Sequence, residues 1–188
     1  KFEELFFLQL HLVKIKMIRN NKYIGYSLSQ LGDNFHNYYK NHLKFELTNA
    51  QKRVIKEIRI DVKNNKQMNR LLQGDVGSGK TIVALLSMLM AIDNGFQACI
   101  MAPTEILAQQ HFTTISKELA EMDINVNILT GSKKTKARRE LLEELENGKI
   151  QLLIGTHALL EDKVKFHNLG FVVIDEQHRF GVAQRAKL

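Results

Sequence analysis

Residues 74–81 read Gly-Asp-Val-Gly-Ser-Gly-Lys-Thr, and the apolar run "IVALLSMLMAI" follows at once. The spacing is G-x-x-x-x-G-K-[ST]. A glycine-rich turn opening straight into a helix gathers backbone N–H groups at the positive end of the helix dipole, a geometry that wraps phosphate oxygens. In that arrangement Lys80 reaches the β- and γ-phosphates of a nucleoside triphosphate and Thr81 offers its hydroxyl to Mg²⁺. Such a loop is expected to follow a strand and open a helix. It therefore confines the chain to an α/β architecture, with Gly74, Gly77, Ser78, Gly79, Lys80 and Thr81 as the nucleotide-binding residues.

The rest of the pattern agrees. "LTNAQKRVIKEIRIDV" reads as a helix opening on Thr48, with Gln51 three residues later completing a capping box. "RLLQ" is expected as a short strand before the loop. Beyond it, strands "QACIMA", "VNILT", "IQLLIG" and "FVVI" alternate with helices "EILAQQHFTTISKELAEM" and "TKARRELLEELENG". Strands separated by helices of ten or more residues predict right-handed crossovers and a parallel sheet with helices on both faces. The single proline, Pro103, falls between a strand and a helix start, where its missing N–H costs little.

Before this domain, Leu5, Leu8, Leu12 and Ile15 recur at helical spacing and predict an amphipathic helix that docks on something. Glu3, Glu4, Gln9 and His11 interrupt the stretch, and no small-residue cleavage site follows, which argues against a signal peptide. Residues 21–46 are polar and weakly periodic and read as a linker. The expected division is therefore 1–46 as a helical extension and 47–188 as the main domain. The chain opens on Lys1 and closes on Leu188 in a charged segment, as a piece of a longer protein would.

Composition adds little beyond consistency. The net charge of +7 makes an anionic partner plausible, but no basic arm stands out. A lone cysteine, Cys99, lies in the apolar "ACIM" and reads as a core residue; with no pair to form, the chain suits a reducing compartment. No apolar stretch is long enough to cross a bilayer.

"FVVIDEQHRFG", residues 171–181, turns abruptly from apolar to charged. Open α/β sheets place their chemistry at the carboxyl ends of buried strands. With a phosphate loop upstream, Asp175 is the candidate to hold Mg²⁺, partly through water. Glu176 is the candidate to orient or deprotonate an attacking water. Metal binding by His178 is the weaker idea, because no second His or Cys stands at ligand spacing.

"DEQH" together with "GDVGSGKT" resembles the superfamily 2 helicases. "FELTNAQKRVIKEI", "RLLQGDVGSGKT", "APTEILAQQH", "LTGS", "IGTHALL" and "VVIDEQHRFGVAQR" resemble one family of them, the RecG family of bacterial ATP-dependent DNA helicases, from about Lys44 to Lys187. The resemblance implies a RecA-like P-loop lobe, the first of two that hydrolyse ATP·Mg²⁺ between them, preceded by a helical linker. It implies a partner in branched or forked DNA, gripped mainly through its backbone, and a cytoplasmic, nucleoid-associated location. A second lobe and a wedge domain would belong to the parent chain, so this chain alone would unwind nothing and hydrolyse ATP poorly.

By the same resemblance Gln51 recognises adenine, although its capping-box role could be its whole purpose. Pro103 and Thr104, Thr130 and Gly131, and Thr156 and His157 each occupy a strand-to-helix turn and would contact DNA phosphates, or serve as helix caps and nothing more. Gln177 and His178 would couple the ATP site to DNA, with His178 counted among the catalytic residues beside Lys80, Asp175 and Glu176. The basic run Lys133–Arg139 reads first as a solvated helix face with i,i+4 ion pairs. The alternatives are a nucleotide-switched binding module without motor activity and another superfamily 2 translocase.

Overall fold

The computed structural model describes residues 2–22, 25–64, 67–131 and 135–181. Four apolar runs form a sheet: β1 (Gln97–Met101), β2 (Val126–Leu129), β3 (Leu152–Gly155) and β4 (Leu169–Ile174). Their order is β2-β3-β1-β4, and every neighbouring pair is parallel. All the carboxyl ends consequently share one edge. The helices are α1 (Phe2–Lys22), α2 (Asp33–Asn37), α3 (Asn49–Lys63), α4 (Lys80–Asp93), α5 (Glu105–Glu118) and α6 (Thr135–Glu146). A π-helical turn spans Tyr38–His42, and single 3-10 turns span His157–Leu160 and Gln177–Arg179.

Side-chain alternation along the strands divides the core in two. Ala98, Ile100, Leu152, Ile154 and Phe171 face one way and pack with buried residues of α3, α4 and α5. Cys99, Met101, Leu129 and Leu153 face the other way and pack with Leu141 and Leu145 of α6. The sheet is covered on both faces, which is why β1 and β3 are buried throughout and, apart from Gln97, carry no polar side chain. α4 carries the longest buried stretch, eight consecutive positions from Leu85 to Ile92 with Val83 before them, all but Ser87 apolar. Ser87 satisfies its hydroxyl within the helix, donating to the carbonyl of Val83 at 2.7 Å.

Three expectations change here. No strand forms at "RLLQ": residues 67–75 are irregular. Arg70 is drawn sideways onto α3, where its guanidinium bonds Glu57 at 2.8 Å and also Asp61. Leu71 points outward, and Leu72 alone of the four packs against the core. A segment anchored this way has little side-chain burial to gain from pairing.

α1 is a helix, but it is not amphipathic. Leu5, Leu8, Leu12 and Ile15 are no better covered than Phe6, Leu10 or Val13, and the apolar residues encircle the axis. An all-round apolar helix is normally a buried one, yet none of these side chains is covered among the described residues.

The stretch expected as a linker is, from residue 25 on, a strap across α3 and α4. The N–H of Leu28 donates to the carbonyl of Val62 at 2.8 Å. The Asp93 carboxylate accepts from the N–H groups of Gly32, Asn34 and Phe35 at 2.9, 3.0 and 3.0 Å. Leu28, Phe35 and Tyr38 are buried in the same core as α4. Tyr38 also donates its hydroxyl to Glu118 at 3.2 Å.

Candidate nucleotide site and the row of strand ends

The loop before α4 depends on glycine at three points. Gly77 and Gly79 have φ of +80° and +78°, the left-handed region where a side chain is strained. A methyl group on Gly74 would lie 2.6 Å from Ser78 Oγ. Ser78 donates its N–H to the Asp75 carbonyl at 3.2 Å and closes the turn. Gly79 is the N-cap of α4, and the N–H groups of Ile82 and Val83 reach back to its carbonyl. The amides of Lys80 and Thr81 precede these bonds, in the first turn where helix donors have no intrahelical partner. Lys80 Nζ donates to the carbonyls of Gly74 and Asp75 at 2.6 and 2.7 Å, which holds the ammonium over the loop. The start of α4 thus offers the Lys80 and Thr81 amides beside one cation, a fit for phosphate oxygens.

Gln51 is joined to this loop. The capping box forms, with Gln51 N–H donating to Thr48 Oγ1 at 3.2 Å and Thr48 N–H to Gln51 Oε1 at 2.8 Å. The other half of the amide, Nε2, donates to the Ser78 carbonyl at 2.9 Å. The residue thus caps α3 and braces the phosphate loop at once.

At the sheet edge the register sets Leu129 opposite Gly155, Gly155 opposite Met101, and Met101 opposite Ile174. The last residues of all four strands stand in one row, about 14 Å across at ordinary strand spacing. Every turn singled out in sequence leaves from that row: Ala102–Thr104 from β1, Thr130–Gly131 from β2, Thr156–His157 from β3 and Asp175–Glu176 from β4. The β4 turn continues the ladder, since Asp175 N–H donates to the Met101 carbonyl at 2.9 Å.

Both oxygens of the Asp175 carboxylate are engaged. Its Oδ2 lies 2.8 Å from His111 Nε2 on α5, and its Oδ1 accepts the Glu176 N–H at 2.9 Å. The hydrogen bond from His111, helped by its charge, the Glu176 amide and the positive charge of Lys80, holds this carboxyl below the usual carboxylate range; partial burial opposes the shift without reversing it. α4, which opens at Lys80, also packs against β4, which ends one residue before Asp175, so the loop and the β4 turn lie on neighbouring elements. Glu176 has φ and ψ of 49° each, and it is the only non-glycine residue with positive φ among those described. Such backbone strain clusters at functional sites. Its carboxylate lies 3.6 Å from His178 Nε2 and 4.0 Å from Arg179 Nε.

The turns expected to contact DNA fare differently from one another. Thr104 caps α5, accepting the Leu107 N–H at 3.2 Å, so its own O–H proton remains to be donated. Pro103 is half-buried beside it, and Gly131 adjoins the same helix start, a Cβ there falling 3.3 Å from Glu105 Oε1. His157 is exposed. Thr156 departs from expectation: it is 1% exposed, and its hydroxyl has no hydrogen-bond partner among the described residues. Ser132, Lys133 and Lys134 lie outside the described residues, as do residues 182–188. In the described part of the basic run, Arg139 pairs with Glu143 at 2.9 Å on an exposed i,i+4 face, whereas Arg138, 19% exposed, reaches out of the helix to Glu161 at 2.6 Å. Phe180 is buried in the core on the α6 side of the sheet.

Sequence reasoning missed His111. The signal was its spacing: three residues after Ala108 and four before Ile115, both fully buried, it is a polar side chain on the inward face of α5.

Comparison with known proteins agrees with this geometry. The chain is similar to proteins named ATP-dependent DNA helicase RecG: 53% identical over 146 residues to that of Aquifex aeolicus, covering 78% of this chain and 18% of that protein. It is 48% identical over 187 residues to that of Thermotoga maritima, covering 100% and 24%. The chain thus spans about a fifth to a quarter of the length of the relatives it matches. Among solved structures, RecG bound to a three-way DNA junction matches with a TM-score of 0.86 at 46% identity, over 96% of this chain and 24% of that one. The yeast DEAD-box splicing factor Prp28 matches at 20% identity with a TM-score of 0.54, over 80% of this chain and 39% of that one, a likeness of fold alone. The model of the DEAD/DEAH box helicases matches residues 48–188, and the chain belongs to that family.

Proposed function

We propose that residues 47–188 are the first of two RecA-like motor lobes of a RecG-type DNA helicase, which hydrolyses ATP to translocate on and remodel branched DNA in repair and recombination. The placement of the Gly74–Thr81 loop beside the Asp175–Glu176 turn carries this reading: α4, which opens at Lys80, packs against β4, which ends at Ile174 just before Asp175. A RecG bound to a three-way DNA junction is the solved structure that this chain resembles over nearly its whole length.

In this reading the loop amides and Lys80 bind the triphosphate, Lys80 exchanging its carbonyl partners for β- and γ-oxygens. Gln51 stands where it can reach the base or brace the loop. Thr81 and Asp175 offer a hydroxyl and an ionised carboxylate, the few hard oxygen donors that Mg²⁺ accepts beside its waters. When bound, Mg²⁺ would neutralise charge on the β- and γ-phosphates. Glu176 holds the attacking water and takes its proton. His178, close to Glu176, and Gln177 relay the state of the site to the DNA-facing turns. Pro103, Thr104, Thr130, Gly131 and His157 meet phosphates along one strand, contacts that fix register and carry no sequence information. Thr156, being buried, takes no part in those contacts.

The remaining parts of the machine, a second lobe and a wedge domain, belong to the rest of a protein several times longer, and its setting is the cytoplasm with the nucleoid. The test uses the full-length protein with Glu176→Gln. It should still bind ATP and forked DNA and should lose unwinding; retained unwinding overturns the assignment.

A further inference from the structure

We propose that His111 is a positioning residue for the magnesium side of the site: it fixes the Asp175 carboxylate in the orientation that metal binding requires. The inference rests on the reading of Asp175 as the metal-side carboxylate. A carboxylate at a strand end can rotate about its last bond, and its oxygens can also turn to solvent. Here both oxygens are engaged, Oδ1 by the Glu176 N–H at 2.9 Å and Oδ2 by His111 Nε2 at 2.8 Å. One donor is backbone and cannot be mutated away. The other is a side chain from a different element.

His111 is itself held. Its side chain is 18% exposed against 34% for Asp175, so the partner is the better buried of the two. Ala108 and Ile115, on the same face of α5, are fully buried against the sheet and leave the helix no freedom to roll. Two hydrogen bonds use half of the roughly four lone-pair directions of an ionised carboxylate. The remaining directions stay open for metal or its water. Donors of this kind behind a ligand set its orientation and basicity, and their loss typically costs about 10- to 100-fold in metal affinity or activity. α5 also begins at Thr104, seven residues and about 10 Å along the axis from His111. The turn read as DNA-facing and the metal-side carboxylate are therefore attached to one rigid helix.

The test measures binding of a fluorescent ADP analogue to the full-length protein, titrated with Mg²⁺ and repeated in EDTA. His111→Ala should raise the Mg²⁺ concentration for half-maximal enhancement by about tenfold and leave affinity in EDTA unchanged. His111→Gln, whose amide can donate in place of the ring, should recover most of that loss. An unaltered Mg²⁺ dependence in His111→Ala overturns the proposal. So does an equal loss of affinity in EDTA, which marks a merely structural role, or a His111→Gln variant no better than His111→Ala. Asp175→Asn, run in parallel, tests the underlying reading: if it leaves the Mg²⁺ dependence intact, Asp175 is not the metal-side carboxylate, whatever His111 does.

Discussion

The side-chain amide of Gln51 spans two structures, its oxygen on the Thr48 N–H at 2.8 Å and its nitrogen on the Ser78 carbonyl at 2.9 Å. One residue therefore closes the first turn of α3 and fastens the phosphate loop. The two roles separate by mutation. Thr48→Ala removes the cap alone and should cost about 1 kcal/mol of stability in urea unfolding. Gln51→Ala should cost a similar amount and also weaken nucleotide binding severalfold, because the loop loses its brace. Equal nucleotide affinity in the two variants would show that the bond to Ser78 is idle.

Asp175 gives a signed pH dependence. Its folded pKa lies below the unfolded value near 3.8, so its contribution to stability is present above that value and is lost as pH falls toward the folded one. Asp175→Asn should lower stability at neutral pH and flatten its decline on acidification below about pH 4. Urea unfolding of both proteins between about pH 6 and 3 measures it. A mutant with as steep an acid limb as the parent would contradict the hydrogen-bonded carboxylate.

The parts of the molecule that were readable in sequence are those where one short segment carries its own physical cause. Thr48 and Gln51 write a capping box in four letters. Gly74, Gly77 and Gly79 mark a turn that no other residue can occupy. β1 beyond Gln97 and β3 are apolar because both faces are covered. What could not be read depends on partners distant in sequence. His111 meets Asp175 across 64 positions, and nothing local announces the pair. "RLLQ" satisfies the composition of a strand, but Arg70 commits it to α3. Polar residues 25–46 look like a tether until Asp93, some 60 residues on, collects three of their N–H groups. The burial of the Thr156 hydroxyl is likewise a matter of tertiary packing, which composition does not encode.

Cys99 offers a direct check on the sheet. It is fully buried between α6 and the strands, and burial pushes its thiol up to about 12. The reactive thiolate is correspondingly scarce. As the only cysteine in the chain, it should resist a thiol reagent at pH 8 under native conditions and react fully in denaturant. Rapid native labelling would mean that the face covered by α6 opens readily.

The most informative stability mutant is Asp93→Ala. The carboxylate sits at the end of α4 and accepts three N–H groups from the strap at 2.9 to 3.0 Å, so it acts as an N-cap for α2 supplied from another element. Hydrogen bonds to a charged acceptor are worth about 1.5–3 kcal/mol each, but they share one acceptor and are not additive. Losing the whole set should cost about 2–4 kcal/mol, more than an ordinary helix cap. The loss should also be local. Leu28, Phe35 and Tyr38 remain apolar ballast for the strap, so the chain should stay folded while amide exchange accelerates over residues 28–42, with the β1 and β3 amides still protected. Asp93→Asn keeps an acceptor oxygen without the charge and should fall between the two. If exchange instead rises evenly across strap and sheet, the strap is an integral part of the cooperative core, and the boundary near residue 47 marks no physical division of the fold.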